Sequence, residues 1–292
     1  MTDLAVDLPG VTVSNLEALG LLIEPAAPGQ DPRRLPVDAL RELARRHHLL
    51  LLRGFASFAG PAELTAWSES WGEIMMWPFG AVLELIEAEA PADHIFDHSY
   101  VPLHWDGMYR PYIPEFQVFH CVSAPGGGQG GATTFCDSAK LLAHTDGATF
   151  DRWSRIEVTY RIPNLSHYGG KAVSPLIVPH PRTSEATLRY NEPPRADDDS
   201  FLNRPEHEFA GLPAEEVPAL LTELHAATHD PRWYYEHSWQ QGDLVIADNY
   251  TLLHGRTAFT HRAPRHIRRV HVLGEPPLRN PASPSEERAE NR

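Results

Sequence analysis

Strand-forming patterns lie toward both ends of this chain, and helical patterns lie between them. Apolar residues at helical spacing over 36–48 lead into LLLLRGF, a short apolar run that predicts a buried strand. Strand patterns follow at 113–123 and 133–135, and the chain returns to strands in GDLVIADN and RHIRRVHVLG. This order suits a strand-rich core closed by sheet pairing. We expect a mixed α/β fold with a mainly β core, a double-stranded β-helix or jelly roll with helical insertions.

Three further segments predict inserted helices. Pro61 opens one of them, with Leu64 and Trp67 on its apolar face. Asp137 can cap the segment SAKLLAH as a short helix. A third helix is predicted over 214–228, although a proline in its first turns weakens the pattern.

The chain shows no internal repeat and no linker, so we expect one domain over residues 1–280. Residues 140–235 are expected to form an insertion or lid region. Within it, the Pro-rich stretch 193–213 predicts a surface excursion, because loops of this length are usually functional or mobile. The polar tail over 281–292 is expected to be disordered.

Composition excludes several classes of partner. The 25 Lys and Arg against 39 Asp and Glu give a formal charge of -14, so nucleic acid is not an expected partner. No apolar stretch approaches the roughly 20 residues of a membrane span, and the start lacks a signal-peptide pattern, so we expect a cytoplasmic protein with no membrane partner. Cys121 and Cys136 lack metal-binding spacing and are expected to be reduced and buried.

Two His-x-Asp triplets occur, one from His104 to Asp106 and one from His144 to Asp146. With 17 histidines in the chain, about one such match is expected by chance, so a triplet alone has no weight. Side chains at i and i+2 share a face in a strand but not in a helix. Pro102 keeps the first triplet extended, so His104 and Asp106 can converge on one ion. At a helix end, His144 is expected to be a surface residue.

A metal site of this kind needs a third ligand, and His254 is the candidate. It follows the strand GDLVIADN and a short turn. A single histidine in that position is more often structural, so the assignment depends on its context. Two histidines and one carboxylate leave three adjacent coordination positions open.

The strand RHIRRVHV supplies that context. Its alternation places Arg265, Ile267, Arg269 and His271 on one face. Guanidinium groups match carboxylates in a bidentate manner, so one arginine can hold a cosubstrate and the other the substrate. The alternative is a solvated sheet face.

Together these motifs resemble the taurine dioxygenase (TauD/TfdA) superfamily of iron and 2-oxoglutarate oxygenases. The resemblance rests on HWD, a distal HGRTAF and an arginine-bearing strand ending in LGEPP, and it spans most of the chain. It implies Fe(II) bound by His104, Asp106 and His254. It also implies 2-oxoglutarate and dioxygen as cosubstrates, and we assign no catalytic residue beyond the metal site.

The same resemblance implies residues for the two carboxylate-bearing molecules. Arg265 corresponds to the arginine that binds the far carboxylate of 2-oxoglutarate. Thr133 in GGATTF corresponds to the threonine that assists it, although Ala132 replaces the acidic residue of the family motif. Arg269 corresponds to the arginine that holds the anionic group of the substrate.

A narrower resemblance is to the PvcB-type oxygenases of isocyanide biosynthesis, through YVPLHWDGMY, PEFQVFHCV and DLVIADNYTLLHGR. It implies a small-molecule substrate, an isocyano carboxylic acid derived from an aromatic amino acid, with tyrosine favoured, and made by an isocyanide synthase. The implied reaction is oxidative decarboxylation and desaturation to a vinyl isocyanide in secondary metabolism.

Aromatic residues around the first triplet are candidates for a substrate pocket. Trp77, Phe79, Tyr100 and Tyr109 could line it, although each is more often a core residue. His98 could meet the substrate, but a structural histidine is the commoner case.

Four other functions compete with this one. The enzyme could hydroxylate another small carboxylate or sulfonate. A hydrolase could use the same ligands around zinc, although Arg265, Arg269 and Thr133 argue against it. A non-catalytic relative is disfavoured by the intact triad, and halogenation by the presence of Asp106.

Overall fold

The computed structural model describes residues 8–87, 91, 93–124, 128–162, 170–195, 197–198, 201–260 and 265–282. The helices are α1 (Val37–His47), α2 (Pro61–Glu69), α3 (Ser138–Ala143), α4 (Gly147–Trp153) and α5 (Val217–Thr228). The strands are β1 (Val11–Asn15), β2 (Leu21–Pro25), β3 (Leu49–Leu52), β4 (Val82–Ile86), β5 (Val101–His104), β6 (Tyr112–Ser123), β7 (Thr133–Asp137), β8 (Glu157–Ile162), β9 (Gly170–Pro175), β10 (Ile177–Pro179), β11 (Ala186–Leu188), β12 (Glu206–Ala210), β13 (Tyr234–His237), β14 (Leu244–Asp248), β15 (Leu252–Arg256) and β16 (His266–Arg279).

Two sheets form the core of the fold. The larger has seven strands in the order β1-β2-β3-β14-β6-β16-β4, and the smaller has four in the order β13-β7-β15-β5. In the described part of the chain these sheets do not join into one closed barrel. The fold class predicted from the sequence, a mainly β jelly-roll core with helical insertions, is confirmed.

Apolar layers on both faces of the large sheet explain its continuously apolar strands. Phe119 and Ile267 pack with Phe135 and Leu252 of the small sheet, so one layer lies between the two sheets. Another layer packs the opposite face of the large sheet against α1 and α2, and it includes Val270. Strands buried on both faces have few polar residues, and β3 therefore consists of four leucines.

The alternation predicted for RHIRRVHV is confirmed in β16. Ile267 packs in the layer between the sheets, while Val270 and Val272 face the helices. Arg269 pairs in register with Phe119 on β6, so the even spacing directs it toward the space between the sheets. One face of this strand is therefore structural, and the other carries polar side chains into the interior.

The helices predicted from the sequence are present. Helix α1 was predicted to span 36–48. Pro36 is its N-cap, and it ends at the C-cap His48, whose φ of 65° is in the left-handed region. The Asp137 side chain accepts a hydrogen bond from the Lys140 amide, 3.0 Å away, and caps α3 as expected. The segment predicted over 214–228 begins with a 3-10 turn and continues as α5.

The region predicted as an insertion contains strands that the sequence did not indicate. Strands β12, β8 and β9 form a separate three-stranded sheet, and β10 pairs with β11. The stretch 193–213 contains β12, which the sequence did not indicate, and its role as a surface excursion stays a prediction. Single-domain boundaries at 1–280 stay a prediction. Most of the predicted tail, 283–292, lies outside the described residues.

No helix in the described ranges has the length and apolarity needed to cross a bilayer. Both cysteines are buried and free, as expected.

Candidate active site

The two predicted histidine ligands face each other across paired strands. β15 pairs with β5, and the register places His254 opposite His104, with ring centroids 4.2 Å apart. Asp106 lies just beyond the end of β5. Its carboxylate oxygens are 3.6 Å from Nε2 of His104 and 3.5 Å from Nε2 of His254. The structure therefore brings the three predicted ligands together, with donor atoms all within 4.8 Å of one another.

Hydrogen bonding and burial leave both imidazoles able to bind a metal. Nδ1 of His104 lies 2.9 Å from the carbonyl oxygen of Pro102, which can only accept, so Nδ1 carries the hydrogen and Nε2 presents a lone pair. Burial, together with the nearby His104, lowers the pKa of His254 well below its usual range. A neutral imidazole is the form that coordinates a metal.

Asp106 is held by residues from three other strands or turns. The Asn249 side chain accepts from the Asp106 amide at 3.0 Å and donates to the Asp106 carbonyl, also at 3.0 Å. Oδ2 of Asp106 accepts from Gln117 at 2.6 Å and lies 2.9 Å from Nε2 of His271. The same oxygen is 2.6 Å from Nη1 of Arg269. These contacts fix both the backbone and the carboxylate of the predicted ligand.

The charge on Asp106 is favoured by its neighbours. Burial alone would raise the pKa of this carboxyl group, but the guanidinium of Arg269 and the rings of His254 and His271 hold the pKa well below its usual range. An ionised carboxylate can therefore serve as the third metal ligand.

His271 is a functional residue that sequence reasoning missed. Trp77 Nε1 lies 3.0 Å from Nδ1 of His271, and because an indole nitrogen only donates, Nδ1 must accept. The ring hydrogen then resides on Nε2, which donates to Asp106. The alternation in RHIRRVHV already placed His271 on the face of Arg265 and Arg269, and that was the available signal. Gln117 and Asn249 had no comparable signal, because no local sequence pattern relates either residue to Asp106.

Beyond the triad lies a buried arginine with spare hydrogen-bonding capacity. Arg265 is 5% exposed and donates through Nη2 to Oγ1 of Thr133 at 3.2 Å. The same hydroxyl oxygen accepts from Trp239 Nε1 at 2.9 Å. Nε of Arg265 has no hydrogen-bond partner among the described residues. Burial lowers the pKa of Arg265 to about 9. The structure therefore brings together the pair predicted to bind 2-oxoglutarate.

A cavity of about 330 Å³ opens beside the triad. That volume lies at the small end of the range for ligand pockets and suits a molecule the size of an aromatic amino acid. It is lined by Trp77, Phe79, His94, Ile95, Val101, Pro102, His104, Trp105, Asp106, Gly107, Met108, Tyr109, Arg110, Ile162, Asn191, Glu192, Pro194, Phe201, Pro205 and Arg269. Three of the predicted pocket residues, Trp77, Phe79 and Tyr109, are therefore on its wall, as is Arg269.

The other two predicted substrate residues lie off the cavity wall. The hydroxyl oxygen of Tyr100 accepts from the Arg195 amide at 2.5 Å, and the ring packs near Phe201. His98 is 60% exposed, with Nδ1 2.7 Å from Oδ1 of Asp97. The geometry gives neither side chain a contact with the space beside the triad. The second triplet is also apart, because His144 is exposed at the end of α3.

The donor set fits Fe(II). Two imidazole nitrogens and one carboxylate on one side of an ion match a facial triad with open positions, and the buried Arg265 lies beyond it. A jelly-roll core that carries this combination defines the class of non-haem iron oxygenases.

Comparisons with known proteins agree with this class. Residues 16–271 match the family described as taurine catabolism dioxygenase TauD, TfdA family, and the chain belongs to that family. It is 50% identical to the tyrosine isonitrile desaturase of Pseudomonas aeruginosa, over 91% of each chain. It is 37% identical to the 3-((Z)-2-isocyanoethenyl)-1H-indole synthase of Fischerella ambigua, over 90% of this chain and 95% of that one.

A solved structure is similar over nearly the whole chain. It is described as PvcB, an Fe, alpha-ketoglutarate dependent oxygenase from an isonitrile synthetic pathway. The TM-score is 0.80 with 44% sequence identity, covering 96% of each chain. Fold, site and relatives therefore agree that this chain is an oxidoreductase of the TauD type.

Proposed function

We propose that this chain is an Fe(II)- and 2-oxoglutarate-dependent oxygenase that desaturates an isocyano carboxylic acid derived from tyrosine, with loss of the carboxylate. The single observation that carries the proposal is the convergence of His104, Asp106 and His254 beside a cavity that also contains Arg269. The names of the relatives support the isocyanide substrate class.

The proposed reaction is balanced as follows. The substrate loses carbon dioxide and two hydrogens to form a carbon–carbon double bond, while 2-oxoglutarate and dioxygen become succinate, carbon dioxide and water. When bound, Fe(II) with its cosubstrates supplies the oxidant that removes hydrogen from the substrate. The protein positions the reactants and excludes water.

The metal-binding triad and the arginines have distinct roles in this proposal. His104, Asp106 and His254 would hold Fe(II). Arg265 would bind the far carboxylate of 2-oxoglutarate with help from Thr133, because its free Nε can pair with one more oxygen. Burial makes that pairing stronger than it would be in water.

Arg269 is proposed to hold the substrate carboxylate. It lines the cavity, and its Nε has no partner among the residues that the structure describes. Nη1 is already engaged by Asp106, so the substrate would bind the remaining edge of the guanidinium. The aromatic ring of the substrate would then lie against Trp77 or Tyr109 on the cavity wall.

The substrate class implies a preceding reaction. A desaturase that starts from a tyrosine isonitrile needs an enzyme that converts an amino group into an isocyanide, so we propose an isocyanide synthase as supplier. A cytoplasmic location stays a prediction from the sequence.

The test is an assay of purified protein with Fe(II), 2-oxoglutarate, dioxygen and the isocyano acid of tyrosine. We expect succinate to form in step with a substrate mass loss of about 46 units, the mass of carbon dioxide and two hydrogens. A loss of about 2 units would keep the desaturase and overturn carboxylate loss. A gain of about 16 units would replace the proposal with hydroxylation, and no succinate would overturn the oxygenase.

The second His-x-Asp triplet offers a matched control. His104→Ala should reduce succinate formation by more than about 100-fold, because even removal of an outer partner of a metal ligand costs 10–100-fold. His144→Ala should leave the rate unchanged. Equal losses in both variants would contradict the assigned site.

A further inference from the structure

A second group of metal-binding side chains lies outside the triad. Glu192, His225 and His229 present ligand atoms that are all within 4.8 Å of one another. We propose that these three residues bind a zinc ion, or a divalent ion of similar chemistry, that fastens the end of α5 to the segment beside the active-site strand β5.

The spacing of the two histidines suits a shared ion. His225 and His229 are four residues apart at the end of α5, so their side chains lie on one face of the helix, and the ring centroids are 4.1 Å apart. Two imidazoles and one carboxylate form a zinc-binding set found in metalloenzymes.

One of the two distances to Glu192 is close to the separation of ligand atoms on a tetrahedral ion. Ligand atoms on zinc are about 3.3–3.5 Å apart when the bonds are near 2.0–2.1 Å. Nε2 of His229 is 3.8 Å from Oε2 of Glu192. Nδ1 of His225 is in close contact with the other carboxylate oxygen, Oε1. That contact is a hydrogen bond when Nδ1 carries a proton, and the exposed His225 ring has to turn away from Oε1 to leave room for an ion that binds both groups.

The backbone holds His229 in the tautomer that a metal requires. Nδ1 of His229 lies 3.0 Å from the carbonyl oxygen of His225, which only accepts, so Nδ1 carries the hydrogen. Nε2 is left with a lone pair directed at Glu192. Orientation of a ligand imidazole by a backbone carbonyl is the usual outer support of zinc sites.

Glu192 connects this group to the active site. Its amide donates to the carbonyl of Leu103 at 2.8 Å, and its Oε2 accepts from the Leu103 amide at 3.4 Å. Leu103 immediately precedes His104. The Glu192 side chain is 12% exposed and also lines the cavity. An ion bound here would stabilise one wall of the cavity without using any residue of the triad.

The test measures how many Zn²⁺ ions bind to each chain when zinc is added to protein that has been freed of metal with a chelator and desalted. We expect two tight Zn²⁺ equivalents per wild-type chain, since zinc also suits the triad, and one in His254→Ala. His225→Gln should likewise retain one, and its affinity for the second ion should fall by at least about 100-fold, because a direct ligand is lost. The double variant should bind none. His225 is 62% exposed, so its substitution is compatible with folding.

Two further measurements separate a site from adventitious binding. In the His254→Ala protein, Zn²⁺ should raise the melting temperature, and adding Glu192→Gln should remove that shift. His144→Gln, which alters another exposed histidine, should change neither the count nor the shift. No zinc on His254→Ala, or a count in His225→Gln equal to that of the wild type, would overturn the proposal.

Discussion

Two clusters of buried or part-buried arginines in this protein differ in how completely their hydrogen bonds are satisfied. In the first, the 1% exposed Glu115 accepts two bonds from Arg45 at 2.6 and 3.1 Å and two from Arg182 at 3.1 and 3.0 Å. In the second, Arg265 and Arg269 each have an Nε without a partner among the described residues. The first cluster is complete within the protein, whereas in the second cluster Nε of each arginine has no acceptor among the described residues.

The difference indicates where a ligand belongs. Buried polar groups in native proteins are nearly always paired, and an unpaired buried charge is costly. A bound ligand that supplies the missing partner offsets that cost. Arg265 with Thr133 matches one end of a dicarboxylate, while Glu115 matches only its own two arginines.

Arg189 shows that a missing partner is not sufficient by itself. It is 0% exposed, and none of its three guanidinium nitrogens has a hydrogen-bond partner in the described part of the chain. Its guanidinium instead lies 4.3 Å from the ring centre of Tyr250 and 5.1 Å from that of Trp105. Aromatic faces stabilise a desolvated cation, so Arg189 is held without an anion. The second cluster differs because neither of its guanidinium groups stacks on an aromatic ring among the described residues, and because it lies next to the triad.

The largest expected effect comes from removing the unsatisfied charge. Arg265→Met should raise the KM for 2-oxoglutarate by about 100-fold or more, because two charge-assisted hydrogen bonds are lost. The free energy of unfolding should stay constant or increase, since an unpaired buried cation is replaced by an apolar chain of similar length. Steady-state kinetics at varied 2-oxoglutarate and denaturant unfolding measure both effects.

Arg268 is a matched control on the same strand. It faces the opposite way and contacts Glu84 at 3.2 Å. Arg268→Met should leave the KM for 2-oxoglutarate unchanged. If Arg265→Met instead destabilised the fold and left that KM unaltered, Arg265 would have a structural role like that of the arginines around Glu115.

The satisfied cluster should respond in the opposite manner. Glu115→Gln should lower the free energy of unfolding by about 2–3 kcal/mol, because two arginines lose their charged partner. This loss of unfolding free energy is smaller than the usual cost of breaking a buried pair, because the Arg45 side chain is 37% exposed and solvent screens its charge. Urea denaturation measures the change, and the KM for 2-oxoglutarate should not move. A large rise in that KM with normal stability would contradict this assignment.

The sequence predicted the parts of the molecule that depend on local pattern. α1, β6 and β16 follow from apolar periodicity, and the triad follows from an extended His-x-Asp with a distal histidine and two arginines on one strand face. Strands β8–β12 were missed because they have three to six residues each, and all of them except β11 contain or adjoin a proline. Patterns this short cannot be distinguished from loops.

The supporting shell of the site could not be predicted, because it depends on strand pairing. The contact of Asn249 with Asp106 joins residues 143 positions apart. Gln117 reaches the same carboxylate only because β6 pairs with β16 in a register that sets it beside His271. Nothing local in the sequence determines that register. Tyr100 and His98 were singled out for proximity in sequence, which does not place a side chain on the cavity wall.

A smaller effect should follow from loosening the carboxylate ligand. His271→Leu removes one donor to Asp106 and should lower Fe(II) affinity and kcat by about 10–100-fold, with little change in the KM for 2-oxoglutarate. His271→Gln retains a donor and should restore part of the loss. Metal titration and turnover measure the split. A selective rise in the KM for 2-oxoglutarate would place His271 with Arg265 rather than with the metal ligand.

The smallest expected effect concerns a buried histidine–aspartate pair in which both side chains are charged over only part of the pH range. Nδ1 of His48 lies 2.9 Å from Oδ2 of Asp137. Burial alone would lower the pKa of His48, but the hydrogen bond and charge of Asp137 raise it overall. Burial would likewise raise the pKa of Asp137, and the contact with His48 lowers it overall.

The raised histidine pKa gives stability that is fully present below about pH 6.5 and is lost as the pH rises through the folded value. The lowered aspartate pKa gives stability that is present above about pH 4 and is lost as the pH falls. His48→Asn, which tolerates the φ of 65°, should therefore cost about 1 kcal/mol of unfolding free energy near pH 5.5 and less near pH 8.5. Denaturant unfolding across this range measures the difference. In an Asp137→Asn background, which keeps a capping side chain for α3, the substitution should lose its pH dependence. An unchanged dependence there would show that His48 titrates against another group, such as Asp248.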